Sequence, residues 1–86
     1  MTDRDFSLLA AQVRAARGLL GWSQADLAKA ANIHRVTVMD VEAEKREPSG
    51  ATLAGLVSAL TDAGIMFTER GVEFRKWPPT GTKRRK

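Results

Sequence analysis

The stretch Ser23-Gln24-Ala25-Asp26-Leu27-Ala28-Lys29-Ala30-Ala31-Asn32-Ile33-His34-Arg35-Val36-Thr37-Val38-Met39-Asp40-Val41-Glu42 decides the fold. Ser23 with Asp26 three positions later is a capping-box pattern, with aspartate standing for the usual glutamate, so a helix opens at Gln24. That helix is short and alanine-rich and runs to about Ala31. Asn32 stands where the chain must turn, and asparagine is second only to glycine in tolerating a left-handed backbone. A further helix is expected from His34 or Arg35 to about Glu44, with Val38 and Val41 facing inward. Two helices this short pack across a tight turn only with a small residue at their crossing, which Ala28 supplies. Ile33 is the apolar plug after the turn, and Leu27 and Ala31 complete the buried set.

Working outward, Leu9, Val13, Ala16 and Leu20 recur in helical steps and predict a preceding helix over residues 7–20, loosened at its end by Gly18 and Gly21. Downstream, Pro48 and Ser49 break and restart the chain. Leu53, Leu56, Val57 and Leu60 then mark one face of a fourth helix that Gly64 stops. The period changes after it. Ile65, Phe67, Val72 and Phe74 alternate with polar residues around Arg70-Gly71, as two short strands and a turn would. Trp77-Pro78-Pro79 and the basic end read as an extended tail. The expected organisation is a mainly α chain: a helical domain over residues 1–64, a short β element over 65–76 and a Pro-containing basic tail over 77–86. An isolated two-stranded hairpin is marginal in water. Its apolar face either lies on the helices or pairs with a second subunit, and an exposed strand edge favours a dimer.

With 86 residues and 43% apolar side chains, the chain has material for one small domain. The absence of cysteine excludes disulfides, thiolate zinc sites and cysteine nucleophiles. One histidine, no serine–histidine–acid order and no phosphate loop leave an enzyme as the weakest reading, with no metal and no cofactor expected. No apolar run approaches the roughly 18 residues of a membrane span, and the acidic start does not read as a secretory signal. A soluble, cytoplasmic protein without a membrane partner is expected. The net charge of +4 comes from 14 Lys and Arg against 10 Asp and Glu. Lys83, Arg84, Arg85 and Lys86 account for that whole excess, so any nucleic-acid reading must rest on where the other charges sit.

The string Arg17-Gly18-Leu19-Leu20-Gly21-Trp22-Ser23-Gln24-Ala25-Asp26-Leu27-Ala28-Lys29-Ala30-Ala31-Asn32-Ile33 resembles the lambda-repressor/Cro-like (XRE) helix-turn-helix domains. Val41-Glu42, Lys45-Arg46, Pro48, Thr52-Leu53 and Ala59-Leu60 continue the likeness, which covers roughly residues 9–64. It implies a four-helix lambda-repressor-like DNA-binding domain, here followed by a short C-terminal β-hairpin or dimerisation strands. Residue by residue, Ser23 and Gln24 match the phosphate-contacting start of the first motif helix. Arg35, Val36, Met39 and Asp40 fall on the face that enters the major groove. His34 and Thr37 flank that face nearer the phosphates. Lys45 and Arg46 match the basic loop behind the recognition helix. Arg17 and Glu42 match a pair that ties the first helix to the recognition helix. His34, Asn32 and Glu44 depart from the family pattern, which more often has Ser or Thr, Gly and Gly there.

The chemistry fits most of these roles. Arg35 can pair bidentately with guanine, Val36 or Met39 can meet a thymine methyl, and Asp40 can accept from cytosine N4 although phosphates repel it. The plain alternatives are a solvated Arg35, a salt-bridged turn of Lys45 and Arg46 between Glu44 and Glu47, and a tail that serves solubility alone. Together the residues point to a sequence-specific regulator of transcription that binds double-stranded DNA. It is expected to act as a homodimeric (auto)repressor on a palindromic operator, associated with the bacterial nucleoid, with Ile65, Phe67, Val72 and Phe74 as dimerisation residues. Other settings are the antitoxin or controller protein of a toxin–antitoxin, restriction–modification, phage or conjugative module, with a toxin or RNA polymerase as partner. A helix-turn-helix used only for protein contact is the remaining alternative.

Overall fold

The computed structural model describes residues 6–75. Helices α1 (Ser7–Leu20), α2 (Gln24–Ala31), α3 (Arg35–Glu42) and α4 (Gly50–Asp62) precede strands β1 (Ile65–Thr68) and β2 (Gly71–Phe74). The expected tail from Trp77 to Lys86, like position 76 and residues 1–5, lies outside the described residues.

Three successive helices end in the same way. After α1 the left-handed residue is Gly21 (φ 73°), with the Gly21 N–H on the Gly18 carbonyl at 3.3 Å and the Trp22 N–H on the Arg17 carbonyl at 2.9 Å. After α2 it is Asn32 (φ 60°), with the Ile33 N–H on the Ala28 carbonyl at 3.0 Å. This pair of backbone bonds satisfies carbonyls that the helix end would otherwise orphan. The third case corrects the expected boundary. The recognition-type helix was expected to reach Glu44, yet α3 stops at Glu42 because Glu44 itself is left-handed (φ 60°). Its N–H bonds the Val41 carbonyl at 3.1 Å and the Lys45 N–H bonds the Asp40 carbonyl at 2.8 Å. A side chain with a Cβ is disfavoured in that conformation. Glu44→Gly is therefore expected to raise the unfolding free energy by about 1 kcal/mol, read as a higher urea midpoint at unchanged slope.

The core joins Val13, Ala16 and Leu20 of α1, Leu27 and Ala28 of α2, Val38 and Val41 of α3, and Leu56 and Leu60 of α4. Leu53 and Val57, expected on the same face, are half-buried. Ser23 caps α2 through a closed box: its Oγ accepts the Asp26 N–H at 3.0 Å and its own N–H donates to the Asp26 carboxylate at 2.9 Å.

The strands pair antiparallel with each other, Ile65 opposite Phe74 and Phe67 opposite Val72. The hairpin lies on the chain's own helices, which resolves the alternative left by the sequence. Ile65 is fully buried, and Phe67, Val72 and Phe74 pack half-buried against the same core. A residue that the sequence reading passed over holds the hairpin down. Gln12 of α1 is buried beneath the turn, and its Nε2 donates to the carbonyls of Thr68 at 2.8 Å and Gly71 at 2.9 Å.

Candidate nucleic-acid interface

The second helix of the motif has two unlike sides. Val38, Val41 and Glu42 are buried, whereas Arg35, Val36 and Met39 are exposed and Asp40 is half-buried. Val36 and Met39, three positions apart, occupy the middle of the free face, with Arg35 to one side and Asp40 to the other. His34 is the exposed N-cap and makes no side-chain cap bond, so the cap reading of its imidazole is not what the structure holds. Thr37, one turn on, is half-buried.

The helix is held from its buried side by a polar knot on Glu42. Arg17 Nε lies 2.7 Å from Glu42 Oε2 and Arg17 Nη2 lies 2.9 Å from Glu42 Oε1, a bidentate pair in which the carboxylate side chain is only 4% exposed. Arg17 Nη1 also donates to the Trp22 carbonyl at 3.0 Å, and Gln24 Nε2 donates to Glu42 Oε1 at 3.1 Å. Arg14 reaches from the same helix to the Glu42 backbone carbonyl at 2.6 Å. The hydrogen bond and charge of Glu42 hold the Arg17 guanidinium above its already high ordinary pKa, against the opposing effect of burial. Thus α1 grips both the side chain and the last carbonyl of α3.

Around this helix the expected phosphate contacts divide into two kinds. Lys45 and Arg46 are exposed in the segment after α3, and among the described residues neither side chain makes an ion pair with Glu44 or Glu47. Ser23 and Gln24, at the start of α2, are already engaged: the Ser23 oxygen caps its helix, and the Gln24 amide bonds Glu42. Each retains one hydrogen to donate, the Ser23 hydroxyl hydrogen and the second amide hydrogen of Gln24. The structure brings Arg17, Glu42 and Gln24 together, while Arg35, Lys45 and Arg46 stand apart from one another without side-chain partners among the described residues.

Sequence reasoning missed Arg14 and Gln12. Both are polar residues on the flanks of the apolar stripe of α1, and only the long-range contact shows what they do. A groove elsewhere, lined by Ala15 and Leu19 of α1 and by residues 68–73 of the hairpin, includes no residue of α2 or α3. No cluster of His, Asp or Glu among the described residues could hold a metal ion. No helix among them is long and apolar enough to cross a membrane.

Two short helices at a tight left-handed turn, the second with a free polar face, define a helix-turn-helix domain. The family model described as helix-turn-helix (HTH_3) matches residues 13–61, more than half of the chain, and the chain belongs to this family of lambda-repressor/Cro-like (XRE) DNA-binding transcriptional regulators. Members are regulatory DNA-binding domains and not typically enzymes. Among curated proteins, none matches the chain in sequence.

Proposed function

We propose that the chain is a dimeric repressor that binds a palindromic operator, its own promoter included, in the bacterial cytoplasm. The observation that carries this reading is the free face of α3, with Arg35, Val36, Met39 and Asp40 available to base edges while Arg17 and Glu42 fix the helix from behind. Ser23, Gln24, His34, Thr37, Lys45 and Arg46 surround that face as phosphate contacts. In a dimer the two recognition helices would enter successive major grooves about 34 Å apart. Occupied promoter DNA then excludes polymerase.

Fluorescence anisotropy against the chain's upstream DNA and a scrambled duplex, at roughly physiological salt, tests the reading. Preference for the upstream duplex by about 1,000-fold or more is expected. Lys45→Ala should weaken both duplexes alike and reduce the log–log salt slope by about 0.9. Equal binding of both duplexes by the wild type would sink operator recognition at this promoter.

For the dimer, the hairpin supports association through Phe67, Val72 and Phe74, which keep part of their surface, and through Met66, 42% exposed on the outer face. Ile65 contributes by anchoring the strand, since its side chain is fully buried. Removing the hairpin outright would take Ile65 from the core, so Met66→Glu is the cleaner variant. Light scattering is expected to give the mass of two chains for the wild type and of one chain for Met66→Glu, at equal helix content. A variant that stays dimeric would move the interface to the helices.

A further inference from the structure

The centre of the free face of α3 is apolar. Val36 is 59% exposed and Met39 is 39% exposed, and both stand three residues apart on an eight-residue helix. Neither side chain reaches the core, which Val38 and Val41 of the same helix already serve. Left in water they give nothing to folding, and a β-branched valine is also a mediocre helix former. In the major groove the one apolar group that a base pair offers is the C5 methyl of a pyrimidine, thymine above all. The polar side chains flank this centre: Arg35 on one side, without a side-chain partner among the described residues, and Asp40 on the other.

We propose that this protein reads its half-site chiefly by methyl contact: 5-methylpyrimidines lie beneath Val36 and Met39, beside a guanine held by Arg35. This rests on the DNA-binding reading above and adds the ligand chemistry of the same face. A face built of hydrogen-bonding side chains would be indifferent to loss of a methyl group, whereas this one is not. Val36, stiff about its first side-chain torsion, supplies a fixed surface, and Met39 supplies one that adapts to the neighbouring step.

The test begins with selection of preferred duplexes from a random-sequence pool by the full chain. Deoxyuridine then replaces thymine one position at a time, which removes the methyl and keeps every hydrogen-bonding group. At one or two positions per half-site the loss is expected to be about fourfold each, the value of one buried methyl. In Val36→Ala the loss at one of these positions should vanish, and in Met39→Ala the loss at the other. In a selected duplex with cytosine at such a position, 5-methylcytosine tightens binding if any 5-methylpyrimidine serves and leaves it unchanged if thymine alone does; both are forms of the proposed contact. Selected duplexes that bind equally with uracil at every position would overturn methyl reading and leave DNA binding intact. A pool that shows no enrichment would overturn the DNA-binding reading itself, and this inference with it.

Discussion

Arg17→Ala is expected to lower the unfolding free energy by about 3 kcal/mol, measured by urea titration at unchanged slope. The loss does not come from a surface ion pair, which would be worth little. Glu42 is the buried partner, 4% exposed, and without Arg17 its carboxylate keeps only the Gln24 amide at 3.1 Å. The Trp22 carbonyl loses a donor as well. Arg17 is itself 21% exposed, so water enters part of the gap and holds the cost to the low end of the range for broken buried pairs. Replacing both partners, Arg17→Met with Glu42→Met, is expected to cost less than Arg17→Ala alone, because no charge is then stranded. A single variant milder than the double would show that the carboxylate is not buried as described. The pH dependence has a definite sign. A base whose pKa is raised by folding gives stability that is fully present below its unfolded value and is lost as pH rises through the folded value. For Arg17 both values lie at the far alkaline end, so between about pH 5 and 9 this pair contributes no slope.

That knot also shows where sequence reading reaches its limit. The capping box of Ser23 and Asp26 and the left-handed Asn32 were legible because each is a local event, settled by residue types within four positions. The hairpin's alternation was legible too. What it lay upon was not, because a period of two says which side chains share a face and nothing of the partner surface. Arg17 and Glu42 stand 25 residues apart, and only the family likeness joined them. Gln12 and Arg14 had neither a local pattern nor a family role. Their meaning lies in carbonyls that arrive 59 and 28 residues later. Glu44 failed for the opposite reason: as an ordinary helix former it reads as the last turn of α3, and the tertiary path of the chain overrides that preference. The resemblance had glycine at this position, and the backbone indeed takes the conformation glycine favours.

The second large effect is expected at Arg35. Arg35→Ala should weaken binding to a preferred duplex by about 1–3 kcal/mol, roughly fivefold to 150-fold, and relax discrimination at one base pair. Scrambled DNA should be affected far less. Stability should move the other way, and this contrast is what makes the variant informative. Arg35 is the first residue of α3, at the positive end of the helix dipole, and no acidic residue occupies that first turn. A cation there is unfavourable for the helix by a few tenths of a kcal/mol, and among the described residues no partner offsets it. Alanine removes that repulsion and has the better helix propensity. The free chain is thus expected to be as stable as the wild type or slightly more so, while its best complex falls apart faster. A residue placed against its own helix and without intramolecular partners is explained by what it meets outside the molecule. Should Arg35→Ala bind preferred and scrambled duplexes as the wild type does, Arg35 is only a solvated charge, and base discrimination would fall to the rest of the face.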